Sequence, residues 1–584
     1  MTLMTRPVRM DIAAVLAAVP GLAWAKAAVV TAGRRLAEEW RASAPYRLTL
    51  EGPKAEGFAA GPREFRPTDA EAGRWLLAGR FVLAGATMET GAGGDPWDRP
   101  SPSRLFAVRL HRFAWASDLL GTGETGAREL LRLFFAWRAV FGRVSPFGWG
   151  PETLERRVFN LACAARRLSA VASDAEVQAL AQSLAAQARH LLRIDTGPAR
   201  AAERFTAAAV AGAALSGSAG EKLLAAALPR LSKALTTAVL PDGGVKNRSP
   251  EAGLELLLDL LTLDDALLQR GREAPVEVAR AIDRLTGALR FFTLGDGRLP
   301  SFHGGEAGDP GHIDAARAHE ESDAKPFGYA PHAGYHRLVG KSLQVIVDAA
   351  GPPEAAWSVA ACAHPLALEV SAGRDRLIVN PGWSPDAAAP AGLRLTAGGS
   401  TASLGHGSAG RPLTGFLGRA LGPRLVEGPG RVEARRNENE GGVWLELAHD
   451  GWAPRFGLLH ERRLFLDART DELRGEDRFA PAAHGPKTPP PGPAVYACRF
   501  HLHPDVQASL ARDERSVLLR GPSDRGWWFR NDAAEVILEP SVWFEHGLPR
   551  RSVQVVLRGQ IPGEGSARVR WKLTPVEPDA SAKR

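Results

Sequence analysis

Apolar residues recur every three to four positions through most of the chain up to residue 292, and alternate with polar ones through most of the remainder. The first period is helical. It predicts helices over 127–141, 152–172, 175–192, 201–215, 221–239, 250–270 and 275–292, with an amphipathic helix over 27–40 and shorter helix and strand signals at 69–77 and 81–86. Residues 46–66 read as strand-like or irregular. Short turns such as Gly197-Pro198 and 217–220 make consecutive helices antiparallel neighbours, and repeated hairpins of that kind build a toroid or solenoid. In the segment Asp242-Gly243-Gly244-Val245-Lys246-Asn247-Arg248-Ser249-Pro250, Ser249 is a good N-cap and Pro250 a good first helical residue. The polar run before them is thereby set against a helix N-terminus, which favours an anion.

Past Leu294 the period shortens. Gly295-Asp296-Gly297 is a turn, and 304–325 is polar and aperiodic, a long loop or linker. Strand patterns follow at 342–347, 366–370, 377–379, 442–448, 456–466, 496–503, 516–520, 526–530, 535–539, 552–559 and 567–573, separated by Gly, Pro and Asp turns. Many short strands of this kind predict an antiparallel β-sandwich. The proline-rich piece 481–493 is read as a surface loop. The fold class is therefore α+β and multidomain: a leader or extension over 1–100, a helical domain over 101–325 and a large β domain over 326–584, with a cleft between the last two as the natural ligand site.

Composition narrows the function classes. A chain of 584 residues exceeds one hydrophobic core. Its formal net charge of +8 is spread without a lysine block, and arginine, whose planar fork suits carboxylate, sulfate or phosphate, far outnumbers lysine. A polyanionic partner fits that balance. No zinc-finger spacing or glycine-rich phosphate loop points to nucleic acid or a nucleotide. Cys163, Cys362 and Cys498 form no pairing pattern and read as small buried hydrophobes. Arg6 and Arg9 before the apolar stretch 12–19, with Ala23-Trp24-Ala25 beyond it, are signal-like. They place the protein at the cell envelope or periplasm, with the cytoplasm as the alternative. No apolar run is long enough to span a membrane.

The wording of the strand half is more specific. Ala333-Gly334-Tyr335-His336-Arg337-Leu338, Val347-Asp348-Ala349-Ala350-Gly351-Pro352-Pro353, Ala363-His364-Pro365-Leu366-Ala367-Leu368-Glu369, Leu377-Ile378-Val379-Asn380-Pro381-Gly382, His460-Glu461-Arg462, Gly475-Glu476-Asp477 and Arg499-Phe500-His501-Leu502-His503-Pro504 together resemble the heparinase II/III family. The resemblance covers roughly 101–573. It implies an incomplete α/α toroid joined to an antiparallel β-sandwich, and a polysaccharide lyase that performs β-elimination on an acidic, uronic acid-containing polysaccharide. Elimination needs the substrate carboxylate neutralised, a base near neutral pKa for the C5 proton and an acid for the leaving oxygen. The proton transfers need no metal, and no cofactor is expected.

On this chain the resemblance implies His364 as base, Tyr335 as acid and Asn247 as a neutralising group. Arg248, Trp149, Arg157, Asn160 and His303 are implied to bind substrate, Trp149 by stacking a sugar ring. His312 is a further cleft candidate, and His501 and His503 share a strand face. The chain also departs from the family pattern. The pattern Gly-Gly-His-x-Glu-Arg-Ser-x-x-Tyr-His is met here with Val245, Asn247, Ala252 and Gly253 at its acid/base positions. No tyrosine lies between Tyr46 and Tyr329. Ala-Ala-His-Ser-Thr, which offers a metal-binding histidine in some members, is met with Gly398, Gly399, Ser400 and Thr401. These departures make a catalytically weak or inactive relative, binding an acidic glycan or envelope polymer, the alternative to a lyase.

Overall fold

A computed structural model describes residues 20–320, 325–485, 493–562 and 565–576. The signal-like stretch 12–19 and much of the proline-rich loop lie outside the described residues. The helices centre on Ala201–Ala214, which packs against Pro151–Ser169, Asp174–Leu191, Gly217–Ala238 and Pro250–Gln269. Its sequence is mostly alanine and it is buried almost all round, as a helix with neighbours on every side must be. Small side chains let those neighbours approach: a Cβ on Gly212 would meet the Leu223 Cβ at 3.1 Å. The antiparallel hairpins are consistent with an incomplete α/α toroid. Among the described residues no helix is long and apolar enough to cross a membrane.

Three local readings are corrected. The irregular stretch 46–66 begins inside a helix, Ala44–Glu51, whose N-cap Ser43 accepts from the Tyr46 N–H. The loop 304–325 contains the helix Pro310–Arg317, capped by Asp309 with proline in its first turn. The strand signal at 81–86 is a hairpin of Arg80–Leu83 with Ala86–Glu89. In the first two, polar cap residues masked short helices that carry few apolar positions.

The β domain holds two antiparallel sheets face to face. One runs Glu535–Glu545, Leu548–Ile561, Ala494–Leu502, Asp375–Val379, Leu368–Ala372, Leu343–Asp348, Tyr335–Val339 and Tyr329–Ala330, with Ala402–Leu404 paired to Ala494–Leu502. The other runs Val432–Asn439, Gly442–His449, Leu458–Asp467, Leu473–Pro481, Ala567–Pro575, Gly526–Asn531, Val517–Arg520 and Gln507–Leu510. Inward residues of both sheets, among them Val345, Leu368, Leu445, Leu464, Phe500 and Trp571, make one core. Leu473–Pro481 escaped the sequence reading because its outward face is charged and its inward face carries Asp477. Pro481, read as loop, is the exposed last residue of that strand.

Asp477 organises the sandwich interior. Its carboxylate accepts from Arg462 Nε at 2.7 Å, His460 Nε2 at 2.8 Å and Trp571 Nε1 at 3.0 Å. Arg462 reaches the turns that lead into the opposite sheet, donating to the carbonyls of Leu366 and Ser400 at 2.9 and 3.1 Å. His449 donates to His460 Nδ1 at 3.2 Å and accepts from the Gly451 N–H at 3.0 Å, so two neutral imidazoles complete the chain. Burial opposes the charge on Asp477, yet Arg462 and His460 hold its carboxyl far below the usual carboxylate range.

Replacing Asp477 by Asn should therefore destabilise the protein by about 3–5 kcal/mol, because Arg462 stays buried without its counter-charge. Denaturant melts check this. The stability owed to this carboxylate is complete above the unfolded pKa of about 3.9 and is lost as pH falls toward the folded value, so the gap in stability between wild type and variant should narrow as pH falls below about 4.

Candidate functional site

The segment before helix Pro250–Gln269 turns sharply and aims one side chain into the β domain. A bridge between Val239 and Val245 closes the Asp242–Gly244 turn, with Gly243 at φ 81°. Asn247 Oδ1 accepts from the Ser249 N–H at 3.0 Å, and Ser249 Oγ caps the helix by accepting from the Ala252 N–H at 3.3 Å. Between them Arg248 takes φ 62°, a left-handed conformation that a non-glycine residue adopts only when its surroundings fix it.

Those surroundings are the strand domain. Arg248 Nε donates to the Ala333 carbonyl at 2.7 Å, Nη1 to the Gly351 carbonyl at 2.7 Å, and Nη2 to the Gly334 carbonyl at 3.1 Å and to Asp348 Oδ1. The guanidinium lies 4.7 Å from the Tyr335 ring centroid, and the Tyr335 hydroxyl donates to the Arg248 carbonyl at 2.6 Å. Tyr335 is wholly buried, and burial pushes its phenol well above the ordinary range despite the neighbouring cation. His303, itself at φ 46°, donates Nε2–H to Asp348 Oδ2 at 2.8 Å. Burial opposes the charge of Asp348, and Arg248 and His303 nevertheless keep its carboxyl below the usual value.

His364 stands at the edge of this cluster. It shares with His303, Asp348 and Cys362 a cavity of about 10 Å³, room for one water at most. Its Nε2 donates to the carbonyls of Leu393 and Leu395 at 2.9 and 3.0 Å, and burial pulls its pKa down to about 4. Gly399 lies flat on the ring: a Cβ there would come 2.5 Å from His364 Cγ. A histidine in the Ala-Gly-Gly-Ser-Thr segment at this point has no space, so these residues do not fit the metal site known in some members. His501 bonds Ser541 Oγ at 2.7 Å and the Ala397 carbonyl at 3.2 Å, while His503 faces Asp505 at 3.5 Å. Among the described residues no group of three metal-ligating side chains is assembled.

The anion cradle read at the helix N-terminus is filled by the chain itself. A Cβ on Gly305 would lie 2.7 Å from Ser249 Oγ, and the Glu306 N–H donates to Glu251 Oε2 at 2.8 Å. Burial, helped by Glu306 and Glu255, pushes the Glu251 carboxyl up to about 7. Deeper among the helices, Arg66 bridges Glu64, Glu255 and Asp259, Arg156 pairs with Asp259, and His312 bonds Glu255 at 2.9 Å. None of these acids and arginines carries a sequence signal, because each is a lone charged residue, Glu64 and Arg66 in an irregular stretch and the others on helices, until the fold brings them together.

The remaining candidates lie inside the helical domain. Trp149 is buried against His190 with Nε1 donating to the Phe141 carbonyl at 2.8 Å, so neither ring face is open for sugar stacking. Arg157 is fully buried, donating to Gln187 at 2.7 Å and the His111 carbonyl at 3.1 Å. Asn160 donates to the Arg112 carbonyl at 2.9 Å, and Arg112 pairs with Asp386 of the β domain. The structure thus gathers Arg248, Tyr335, His303 and His364 with Asp348, a residue the sequence reading quoted without assigning it a role. It leaves Asn247 in a turn and Trp149, Arg157 and Asn160 as internal supports.

Chemically, the gathered cluster is closed. The cation is paired with a carboxylate, the phenol is buried and bonded, and the imidazole nearest the cavity is kept neutral by burial, with its Nε2–H taken up by two carbonyls. An Arg248→Ala variant should lose about 3–5 kcal/mol of stability, and Arg248→Lys should rescue little of it because a point charge cannot make the forked set of bonds. Hydrogen exchange should quicken first at Gly334 and Ala350, on the strand side of the junction.

Comparison with known proteins places this architecture. The family model described as heparinase II/III-like, C-terminal matches residues 322–572. FtsZ-localized protein C of Caulobacter vibrioides is 53% identical over 560 residues, covering 95% of this chain and 97% of that protein. Among solved structures, heparinase III superposes with a TM-score of 0.66 at 14% identity, over 88% of this chain and 85% of that one. A mutant of heparan sulfate lyase HepC from Pedobacter heparinus gives 0.57 at 15% identity, over 96% and 90%. At such identities the solved structures speak to the fold alone. With the family match across its sheets and a relative aligned over nearly its whole length, this chain belongs to the heparinase II/III-like family.

Proposed function

We propose that this protein uses the heparinase fold for binding rather than for β-elimination, and that it localises with FtsZ. The observation that carries the first part is the commitment of Arg248: its guanidinium bonds Asp348 and four backbone carbonyls, which leaves no fork to neutralise a substrate carboxylate. Tyr335 and His364 point the same way, one buried with its hydroxyl on the Arg248 carbonyl and the other with a pKa of about 4, too low for an efficient base at neutral pH. The name of the Caulobacter relative supports the second part, and it favours the cytoplasm over the periplasm of the two compartments left open by the sequence.

The lyase reading keeps one specific support, the Glu251 carboxyl raised to about 7 beside the junction, where a general base would be well poised. Purified protein mixed with a panel of uronate polysaccharides should give no rise in the ultraviolet absorbance of an unsaturated uronate. A rise abolished by Glu251→Gln would establish the lyase and displace the binding proposal. For localisation, a fluorescent fusion should track FtsZ through the cell cycle and sediment with FtsZ polymers in vitro; an even distribution with no co-sedimentation contradicts that part.

A further inference from the structure

The outward face of the eight-stranded sheet carries an arrangement that neither the junction nor the sandwich core explains. Directly opposed cross-strand neighbours there run Trp444, Phe465, Arg474, Lys572, Arg530. Trp444 is 44% exposed, and its ring lies 4.5 Å from that of Phe465 at an interplanar angle of 31°, so the two form a shallow apolar platform. Three cations follow side by side. Like charges directly opposite one another destabilise a sheet, and the adjacent row avoids this by alternating sign: Glu446, Arg463, Glu476 and Arg570, with Arg463 3.4 Å from Glu476 and 3.7 Å from Glu446. The first row has fewer counter-charges than cations: Arg474 and Lys572 share Glu472 at its edge, Arg474 also lies 5.8 Å from the Phe465 ring centroid, and Arg530 donates to the Thr574 hydroxyl.

Both rows, apart from Glu446, line an open trough of about 470 Å³, with Asn531 and Asp532 on its far rim. The first row crosses four inter-strand gaps, about 19 Å in all. We propose that this trough binds an acidic oligosaccharide, with a sugar ring on Trp444 and Phe465 and its carboxylate or sulfate groups on Arg474, Lys572 and Arg530. The aromatic platform suits the apolar face of a sugar ring, and the cation row supplies the counter-charge that its own geometry lacks. Beside the row, Glu476 pairs with Arg463, Asp532 holds Arg570, and Asn531 bonds the Arg515 carbonyl and the Ala533 N–H, so the cations of the first row are the groups placed to meet an anion. A sheet face also exposes no free backbone ladder, so it cannot take an acidic peptide by strand addition. The site lies on the outside of the sheet whose inner face packs the sandwich core. The proposal therefore stands whether or not the junction performs chemistry.

The test is titration of the full chain with tetragalacturonate, followed by tryptophan fluorescence and calorimetry, with a neutral glucose tetrasaccharide and an oligoglutamate peptide of equal charge as comparators. The acidic tetrasaccharide should bind with a Kd below about 1 mM. Trp444→Ala should weaken it about tenfold, the scale of one ring-stacking contact, and Lys572→Gln should weaken it without altering the melting temperature. The neutral sugar and the peptide should each bind at least about tenfold more weakly. No binding of the acidic tetrasaccharide, equal binding of the peptide, or affinity that survives both Trp444→Ala and Lys572→Gln overturns the proposal; the last outcome would place the sugar outside the trough.

Discussion

A buried arginine must find partners for all of its N–H donors, and in this protein that requirement joins the two domains. Arg248 leaves the helical half in a strained backbone conformation and ends among the carbonyls of Ala333, Gly334 and Gly351 and the carboxylate of Asp348. Every other contact in the cluster follows from neutralising and desolvating that one cation: the Tyr335 ring covers its face, the Tyr335 hydroxyl returns to its backbone, and His303 satisfies the second oxygen of Asp348. Removing an ion from water is costly unless pairing and hydrogen bonds are complete. Completeness here leaves nothing over for a ligand. Further ties run in parallel, Arg112 with Asp386 and Arg337 with the carbonyls of Phe291 and Thr293, so the junction is pinned at several points.

This gives the sequence resemblance a physical reading. The fragments that carry it are largely those that build buried polar networks: His460, Arg462 and Asp477 tie one sheet to the other, and Tyr335 and Asp348 receive Arg248. Such networks specify a fold because each member is costly to bury alone. The positions where this chain departs from the family pattern, Val245, Asn247, Ala252, Gly253 and Gly399, are those where acid/base or metal chemistry would sit. Where one of them meets the cluster it is closed by packing, as Gly399 is against the His364 ring.

Helical periodicity made the architecture legible, since a helix such as Pro250–Gln269 shows its apolar stripe and its Ser249-Pro250 start in adjacent letters. Strands were legible where their inner faces are apolar, and Leu473–Pro481 was not, because Asp477 occupies an inward position that only the fold explains. The site was legible residue by residue but not as a set. Arg248 and Asp348 are 100 positions apart, and the partners that disarm Arg248 and His364 are mostly backbone carbonyls, which carry no side-chain signal. The raised pKa of Glu251 depends on a loop more than fifty residues away folding over a helix start.

The central claim is that the junction side chains are wired to one another and not poised for proton transfer. Nitrogen-15 NMR of the His364 and His303 rings, followed across the range of about pH 5 to 8 in which an ordinary histidine titrates, tests it most directly. The His364 ring should stay neutral throughout, protonated at Nε2, with no midpoint in that window, and the His303 ring should titrate below an ordinary histidine. A midpoint near neutrality for His364, moving when an acidic polysaccharide is added, would contradict the account.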